Sequence, residues 1–288
     1  MNSEASITII LPTYNRRKFL PKALRDLKAQ TFADWRCVIV NDGGESVADI
    51  VAAAEDPRFE LFERPHQGKP AQLNWALSQV RSEWVSYADD DDELYPDHLE
   101  TLYNAAKTSG RKVVFTRFKT TWLDSAGNVK AVTPASTVPI TSSELRSCLN
   151  GCGASQVTFM HSLDLARQVG GYNESMKILI DYDFIRRVAL KSDPFYVDHV
   201  TLNHIMRGAD PIYGKLNSIS GLWQRDPEAA GRSLLMFFSS DPAALTQLYL
   251  DAGRGLSAIR RLEKLRTSLP WRLLRPFAQL FKKLTGRG

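Results

Sequence analysis

Residues 84–99 read WVSYADDDDELYPDHL. An apolar run, WVSYA (84–88), ends in four consecutive carboxylates, Asp89 to Asp92, and a helical pattern follows from Pro96 to about Thr108. A short buried strand that delivers polar residues at its carboxyl end and then passes into a helix is the repeating unit of a parallel sheet.

The same unit recurs upstream. ITIIL (7–11) reads as a buried strand, and Phe19, Leu20, Ala23, Leu24 and Leu27 then return at helical spacing. WRCVIV (35–40) is a second strand, followed by the turn NDGG and a helix through Ile50 and Val51. FELFE (59–63) precedes a helix from Ala71 to Val80, and KVVFT (112–116) follows the helix after the acidic run. Strands alternating with helices predict an α/β fold, a mostly parallel central sheet flanked by helices. The second half is less regular. The pattern predicts a hairpin over Thr120–Val132 around Asp124–Asn128, a Pro/Ser/Thr-rich loop at Thr133–Ser143, and QVTFM (156–160). Helices near Leu163–Val169 and Asp181–Leu190, and the run FYVDHV (195–200), come next. From about Tyr213 the chain reads as all-helical.

Composition narrows the class. The 288 residues are 43% apolar and 24% charged, ordinary for a globular chain with a real core. Three cysteines, Cys37, Cys148 and Cys152, are too few and too irregular for a disulfide framework or a four-ligand zinc site, and suit a reducing compartment. No run approaches the ~20 apolar residues of a membrane span. The opening MNSEASITIILPTYN lacks a basic flank and a long apolar region, so no signal peptide is expected. The net charge of +5 is unevenly placed. From Gly253 onward ten Lys/Arg face one acid, leaving 27 Lys/Arg against 31 acids before it. A mildly acidic body with a basic tail predicts a tail that meets an anionic surface; no nucleic-acid motif accompanies it. Within that tail, Leu273, Leu274, Phe277, Ala278, Leu280, Phe281 and Leu284 share half of a helical wheel with Trp271, opposite Arg272, Arg275, Lys282 and Lys283. That is the pattern of an interfacial amphipathic helix, although packing on protein explains the apolar face as well.

Three polar clusters fall at predicted strand ends, where open parallel sheets bind ligands: Pro12–Arg16, Asn41–Gly44 and Asp89–Asp92. Four adjacent carboxylates repel one another, and a divalent cation with oxygen preference (Mg²⁺, Mn²⁺ or Ca²⁺) resolves the conflict. A solvated turn capping the next helix is the plainer alternative. An EF-hand would use Asp89, Asp91, Glu93 and Glu100, but Leu94 occupies its obligatory glycine and a strand precedes the loop. Neither G-x-G-x-x-G nor G-x-x-x-x-G-K-[ST] is present, which disfavours a dinucleotide-binding Rossmann domain and a P-loop.

Taken in order, PTYNRRKFLPKAL (12–24), VIVNDGG (38–44), HQGKPAQLNWAL (66–77), WVSYADDDDELYPDHL (84–99) and GGYNESMKILIDYDFIRRVA (170–189) resemble the successive motifs of family 2 glycosyltransferases with the GT-A fold. The resemblance covers roughly residues 6–210. It implies a catalytic domain over 1–212, with a nucleotide-sugar half to about 118 and an acceptor half over 119–212. A helical extension with the basic tail fills 213–288. It further implies that Pro12, Thr13 and Tyr14 bind the donor, the latter two at the base, and that Asp42 accepts a hydrogen bond from a pyrimidine imide. Asp91 would hold Mn²⁺ or Mg²⁺, with Asp89 as a second ligand or, like Asp90, near the ribose. Lys69 would face the diphosphate, and Asp181 would be the general base; an N-cap is the plainer reading of Asp181. Asp183, His204 and Arg207 are further candidates. Two positions depart from the family: Ile180 stands where Glu usually precedes the base, and Leu73 where Arg usually precedes Asn74.

The expected activity is metal-dependent, inverting transfer of a sugar from UDP or dTDP to an acceptor hydroxyl. The acceptor would be a glycan or lipid-linked glycan at the inner face of the membrane, as in O-antigen assembly. Oligomerisation is left open. The rivals are a sugar-nucleotide nucleotidyltransferase, whose Gly-rich N-terminal loop is absent, and a degenerate module that binds nucleotide or glycan without turnover.

Overall fold

The computed structural model describes residues 4–134 and 155–207. The extension over 213–288 and its tail, Cys148, Cys152 and all but the start of the Thr133–Ser143 loop lie outside the described residues.

Strands β1 (Ile7–Thr13), β2 (Trp35–Asp42), β3 (Phe59–Arg64) and β4 (Trp84–Tyr87) alternate with helices α1 (Leu20–Lys28), α2 (Ala48–Ala53) and α3 (Lys69–Gln79). The short β5 (Glu93–Leu94) and α4 (His98–Ser109) follow, then β6 (Val113–Leu123) and β7 (Val129–Thr133). A 3₁₀ turn at Gln156–Thr158 leads into β8 (Phe159–Ser162), α5 (Leu163–Gln168), α6 (Ile180–Lys191) and β9 (Phe195–Arg207).

The strands form one sheet in the order β3-β2-β1-β4-β8-β6-β9-β5, with β7 beside β6. The pairs β3/β2, β2/β1, β1/β4 and β6/β9 are parallel, and β8 runs antiparallel between β4 and β6. Alternation along the strands feeds two cores. Ile10, Val38, Val40 and Val85 pack on one face with α3 and α6, while Ile7, Ile9, Leu11, Cys37 and Ile39 pack on the other with α1 and α4. Burial on both faces explains why these strands read as continuous apolar runs.

Three elements differ from the sequence expectation. β6 and β9 both run well past KVVFT and FYVDHV, because they pair with each other in parallel from Arg117↔Val200 to Leu123↔Arg207. His204 and Arg207 therefore sit within a strand, not after one. QVTFM divides into the 3₁₀ turn and the first two residues of β8. The hairpin forms as expected: the Asp124 carboxylate accepts from the amides of Ala126 and Asn128, both at 2.9 Å.

Chain order runs outward from β1 to β3, then returns to place β4 on the other side of β1. That reversal is a topological switch point, where the connections leave the sheet in opposite directions and open a crevice at the carboxyl ends. Thr13, Asp42 and Asp89–Asp92 are thereby gathered at one rim.

Candidate active site

At the switch point the end of β1 meets the acidic run. Thr13 Oγ1 donates to Asp90 Oδ2 at 2.7 Å, and Arg16 Nη1 lies 3.0 Å from both Asp90 Oδ1 and Asp91 Oδ2. Burial pushes the Asp90 carboxyl up to about 6 against the pull of Arg16. Burial also raises Asp91, opposed by Arg16 and aided by the charges of Asp89 and Asp92. Arg207 approaches from β9, with Nη1 3.4 Å from Asp91 Oδ2 and its guanidinium 4.4 Å from the Phe19 ring centroid.

Asp92 faces the other way. It is 3% exposed and accepts from the Ile205 amide at 2.9 Å and from His204 Nδ1 at 3.0 Å, locking β9 against the turn. Burial works against the imidazolium of His204, but Asp92, Asp89 and Asp91 together raise its pKa above the ordinary histidine value. Of the four carboxylates, Asp92 is thus structural, and Asp89 and Asp91 remain partly exposed.

The second half of the crevice comes from α3 and α6. Gly68, at φ +93°, turns the chain so that Lys69 opens α3, and Pro70 suits that first turn, where its missing N–H costs nothing. Lys69 Nζ lies 3.5 Å from Asp89 Oδ1 and 3.5 Å from Asp181 Oδ2. Burial opposes the Lys69 ammonium, but Asp181 and Asp89 outweigh it and raise its pKa. Asp181 sits in the first turn of α6 with its side chain 35% exposed, while its Oδ1 is itself buried and has no hydrogen-bond partner among the described residues. Burial raises the Asp181 pKa, Lys69 counteracts this, and Asp89 adds to it. For Asp89, the charges of Lys69, Arg16 and His204 overcome burial and hold the carboxyl below the usual range.

Asp183 does not join the crevice. It is 2% exposed and clamped by Arg187 at 2.7 Å and Arg186 at 3.4 Å within α6. Asp42, 5% exposed at the end of β2, is surrounded by the chain's own donors. Its Oδ1 accepts from the Gln67 amide (2.8 Å) and Gln72 Nε2 (2.5 Å), and its Oδ2 from the Gly68 amide (3.1 Å), while His66 Nδ1 bonds the Asp42 carbonyl oxygen at 3.0 Å and lies 2.9 Å from Oδ2. Tyr14 is 44% exposed and stacked on His66. Arg16, His66 and Gln72 escaped the sequence reading although each lies inside a quoted motif. A run of four acids beside a short basic motif was the available signal for Arg16.

No three His, Cys, Asp or Glu side chains converge as a ready metal cage among the described residues. The donor chemistry nevertheless fits Mg²⁺ or Mn²⁺: two partly exposed carboxylates just past a strand end, one of them, Asp91, raised by burial and further by the charges of Asp89 and Asp92. Mg²⁺ is commonly held by one or two carboxylates, with phosphate oxygens and water completing its shell.

Residues 8–140 match the profile described as Glycosyl transferase family 2. An uncharacterized glycosyltransferase of Rickettsia typhi is 23% identical over 232 residues, 75% of this chain and 70% of that protein. The GalNAc(5)-diNAcBac-PP-undecaprenol beta-1,3-glucosyltransferase of Campylobacter jejuni is 31% identical over 105 residues, 35% of this chain and 34% of that enzyme. Among solved structures, S. aureus TarS 1–349 in complex with UDP-GlcNAc superposes with a TM-score of 0.60 at 16% identity, over 93% of this chain and 82% of that one. The mannosyltransferase PcManGT of Pyrobaculum calidifontis, in complex with GDP-Man and Mn²⁺, gives 0.54 at 17% identity, over 100% and 89%. At these identities the structural likeness speaks for the fold.

Proposed function

We propose that the chain acts as a family 2 glycosyltransferase, the profile its residues 8–140 match, and moves a sugar from a UDP- or dTDP-sugar to an acceptor hydroxyl with inversion at the anomeric carbon. The observation that carries this reading is the Lys69 bridge, which sets a donor-side carboxylate, Asp89, and an acceptor-side carboxylate, Asp181, across one crevice. Asp181, whose side chain is 35% exposed beside Lys69, would take the acceptor proton. As that proton leaves, the acceptor oxygen bonds to the anomeric carbon. The bond from that carbon to the diphosphate oxygen breaks, and its electron pair departs with the nucleoside diphosphate. One displacement, with no covalent enzyme intermediate, inverts the configuration. Arg16, Lys69 and Arg207 supply fixed positive charge beside the leaving group. Asp91 and Asp89 would hold Mn²⁺ or Mg²⁺ with the diphosphate, and the ion adds positive charge against the departing oxygen.

The acceptor reading is a glycan or lipid-linked glycan. It is supported by the undecaprenol-linked substrate in the name of the Campylobacter relative. The basic amphipathic tail suits peripheral contact with the inner face of a membrane; no helix among the described residues is long and apolar enough to cross one.

The test separates binding from transfer. Asp181→Asn should retain UDP binding by calorimetry while transfer falls by about 10²–10⁴-fold, the range for losing a general base. Asp91→Ala should lose the Mn²⁺-dependent part of UDP binding. Transfer near the wild-type rate in Asp181→Asn would overturn the base assignment.

A further inference from the structure

The imidazole of His66 makes the two contacts that a pyrimidine base would make in this crevice. Its ring lies over Tyr14 with centroids 4.5 Å apart and planes 18° from parallel. Its Nδ1 is 2.9 Å from Asp42 Oδ2 and 3.0 Å from the Asp42 carbonyl oxygen. Both partners only accept, so Nδ1 carries the hydrogen. A flat ring stacked on an exposed tyrosine, with an N–H bonded to the Asp42 carbonyl and 2.9 Å from its buried carboxylate, takes the place that the face and imide edge of uracil or thymine would fill.

The four donors on Asp42 are not equally exchangeable. Two are backbone amides, of Gln67 and Gly68. The third belongs to Gln72, which is fully buried, donates also to the Pro65 carbonyl at 2.9 Å, and accepts from Arg64 at 2.8 Å. Only His66 is an exposed side chain, at 55%. Asp42 Oδ1 already accepts two hydrogen bonds, whereas Oδ2 accepts one and has the His66 ring 2.9 Å away, between it and the crevice. The His66 backbone is held close: a Cβ added at Gly43 would sit 2.5 Å from the His66 nitrogen.

We propose that His66 is an internal stand-in for the base. It closes the base slot of the free protein, and a pyrimidine nucleotide binds by displacing it. The inference rests on the pyrimidine-donor reading above and adds a residue that sets the affinity and selectivity of that slot. The bound base must repay the lost stack and hydrogen bond, so the measured affinity is the intrinsic one reduced by the fraction of chains with His66 swung out.

The experiment is calorimetric titration of UDP and of GDP, each with Mn²⁺, into the full chain as wild type, His66→Ala and His66→Phe, with unchanged thermal midpoints as the folding control. His66→Ala should bind UDP roughly three- to thirtyfold more tightly, the scale of one hydrogen bond and one ring stack. His66→Phe, which keeps the stack but not the N–H, should fall between. Weaker UDP binding by His66→Ala would mean that His66 clasps the base instead of yielding to it, and equal affinity would mean that it does not occupy the slot. Either result overturns the proposal while leaving the pyrimidine reading intact. Binding of GDP but not UDP by all three proteins would remove that reading, and the proposal with it.

Discussion

Lys69 stands between two like-charged carboxylates, Asp89 and Asp181, and its removal has a signed consequence. Burial and the Asp89 charge raise the Asp181 pKa, and Lys69 is what opposes them. A base works only when ionised, so if Asp181 acts as proposed, activity should be lost as the pH falls through its pKa. Lys69→Met should move the acid limb of the kcat/KM profile to higher pH, and Lys69→Arg should bring it back. A limb that stays in place would separate Lys69 from the base. Single residues were legible in the sequence where chemistry alone selects them. Asp89 and Asp91 stood out because clustered carboxylates need a reason, whereas Asp181 was reached only through the motif resemblance, an N-cap being the plainer reading of the residue alone. His66 did not stand out, because nothing in HQGK reveals that its ring lies on Tyr14, 52 positions earlier in the numbering.

Helix α3 is joined to the segment leading into α6 by one side chain. Asn74 accepts from the Tyr172 amide at 2.6 Å and donates to the Tyr172 carbonyl at 2.9 Å and to Glu174 at 2.8 Å. Gly171 allows this approach: its φ is +70°, and an added Cβ would lie 2.4 Å from Asn74 Oδ1. Gly171→Ala should therefore lower stability by about 1–3 kcal/mol, the usual cost of such a backbone position, seen as a fall in thermal midpoint. It should also reduce transfer more than UDP affinity, since it disturbs the approach to Asp181 and leaves β1 and β2 intact. Equal losses in both would mean that the clamp does not act on the acceptor side. Elements with a regular apolar pattern were legible, α3 to within two residues of its start. The long parallel pairing of β6 with β9 was not. TRFKTTWL carries its apolar and polar residues on a half-buried strand, and only a partner distant in sequence makes it one.

Across the whole molecule, two buried histidines tie the sheet together. His98 Nδ1 lies 2.7 Å from Thr201 Oγ1, joining α4 to β9, and His161 Nε2 lies 2.8 Å from the Tyr87 hydroxyl, joining β8 to β4. Burial depresses both from 6.5 to about 4. The unfolded chain then binds more protons between those values, so this contribution is full above about pH 6.5 and is lost as the pH falls towards 4. Each histidine withdraws up to about 3 kcal/mol on that path. The raised carboxylates, Asp90, Asp91 and Asp181, act in the opposite sense, because a group whose folded pKa is raised loses its contribution as the pH rises. The comparison is thus between wild type and the double variant His98→Gln/His161→Gln. The thermal midpoint of wild type should fall more steeply from pH 7 to pH 4.5, and parallel curves would count against the assignment.

The sequence by itself determined the βαβ alternation, the rim at which the polar clusters gather, and the likeness to a glycosyltransferase profile over residues 8–140, because each of these is written in local periodicity or in a contiguous motif. Tertiary structure alone decided which carboxylates face the crevice and which are spent on structure. Asp91 and Asp92 are neighbours in the chain, yet one meets Arg16 and Arg207 while the other is sealed under β9. Successive side chains in a tight turn point in different directions, and what each one meets depends on strands paired across more than a hundred residues.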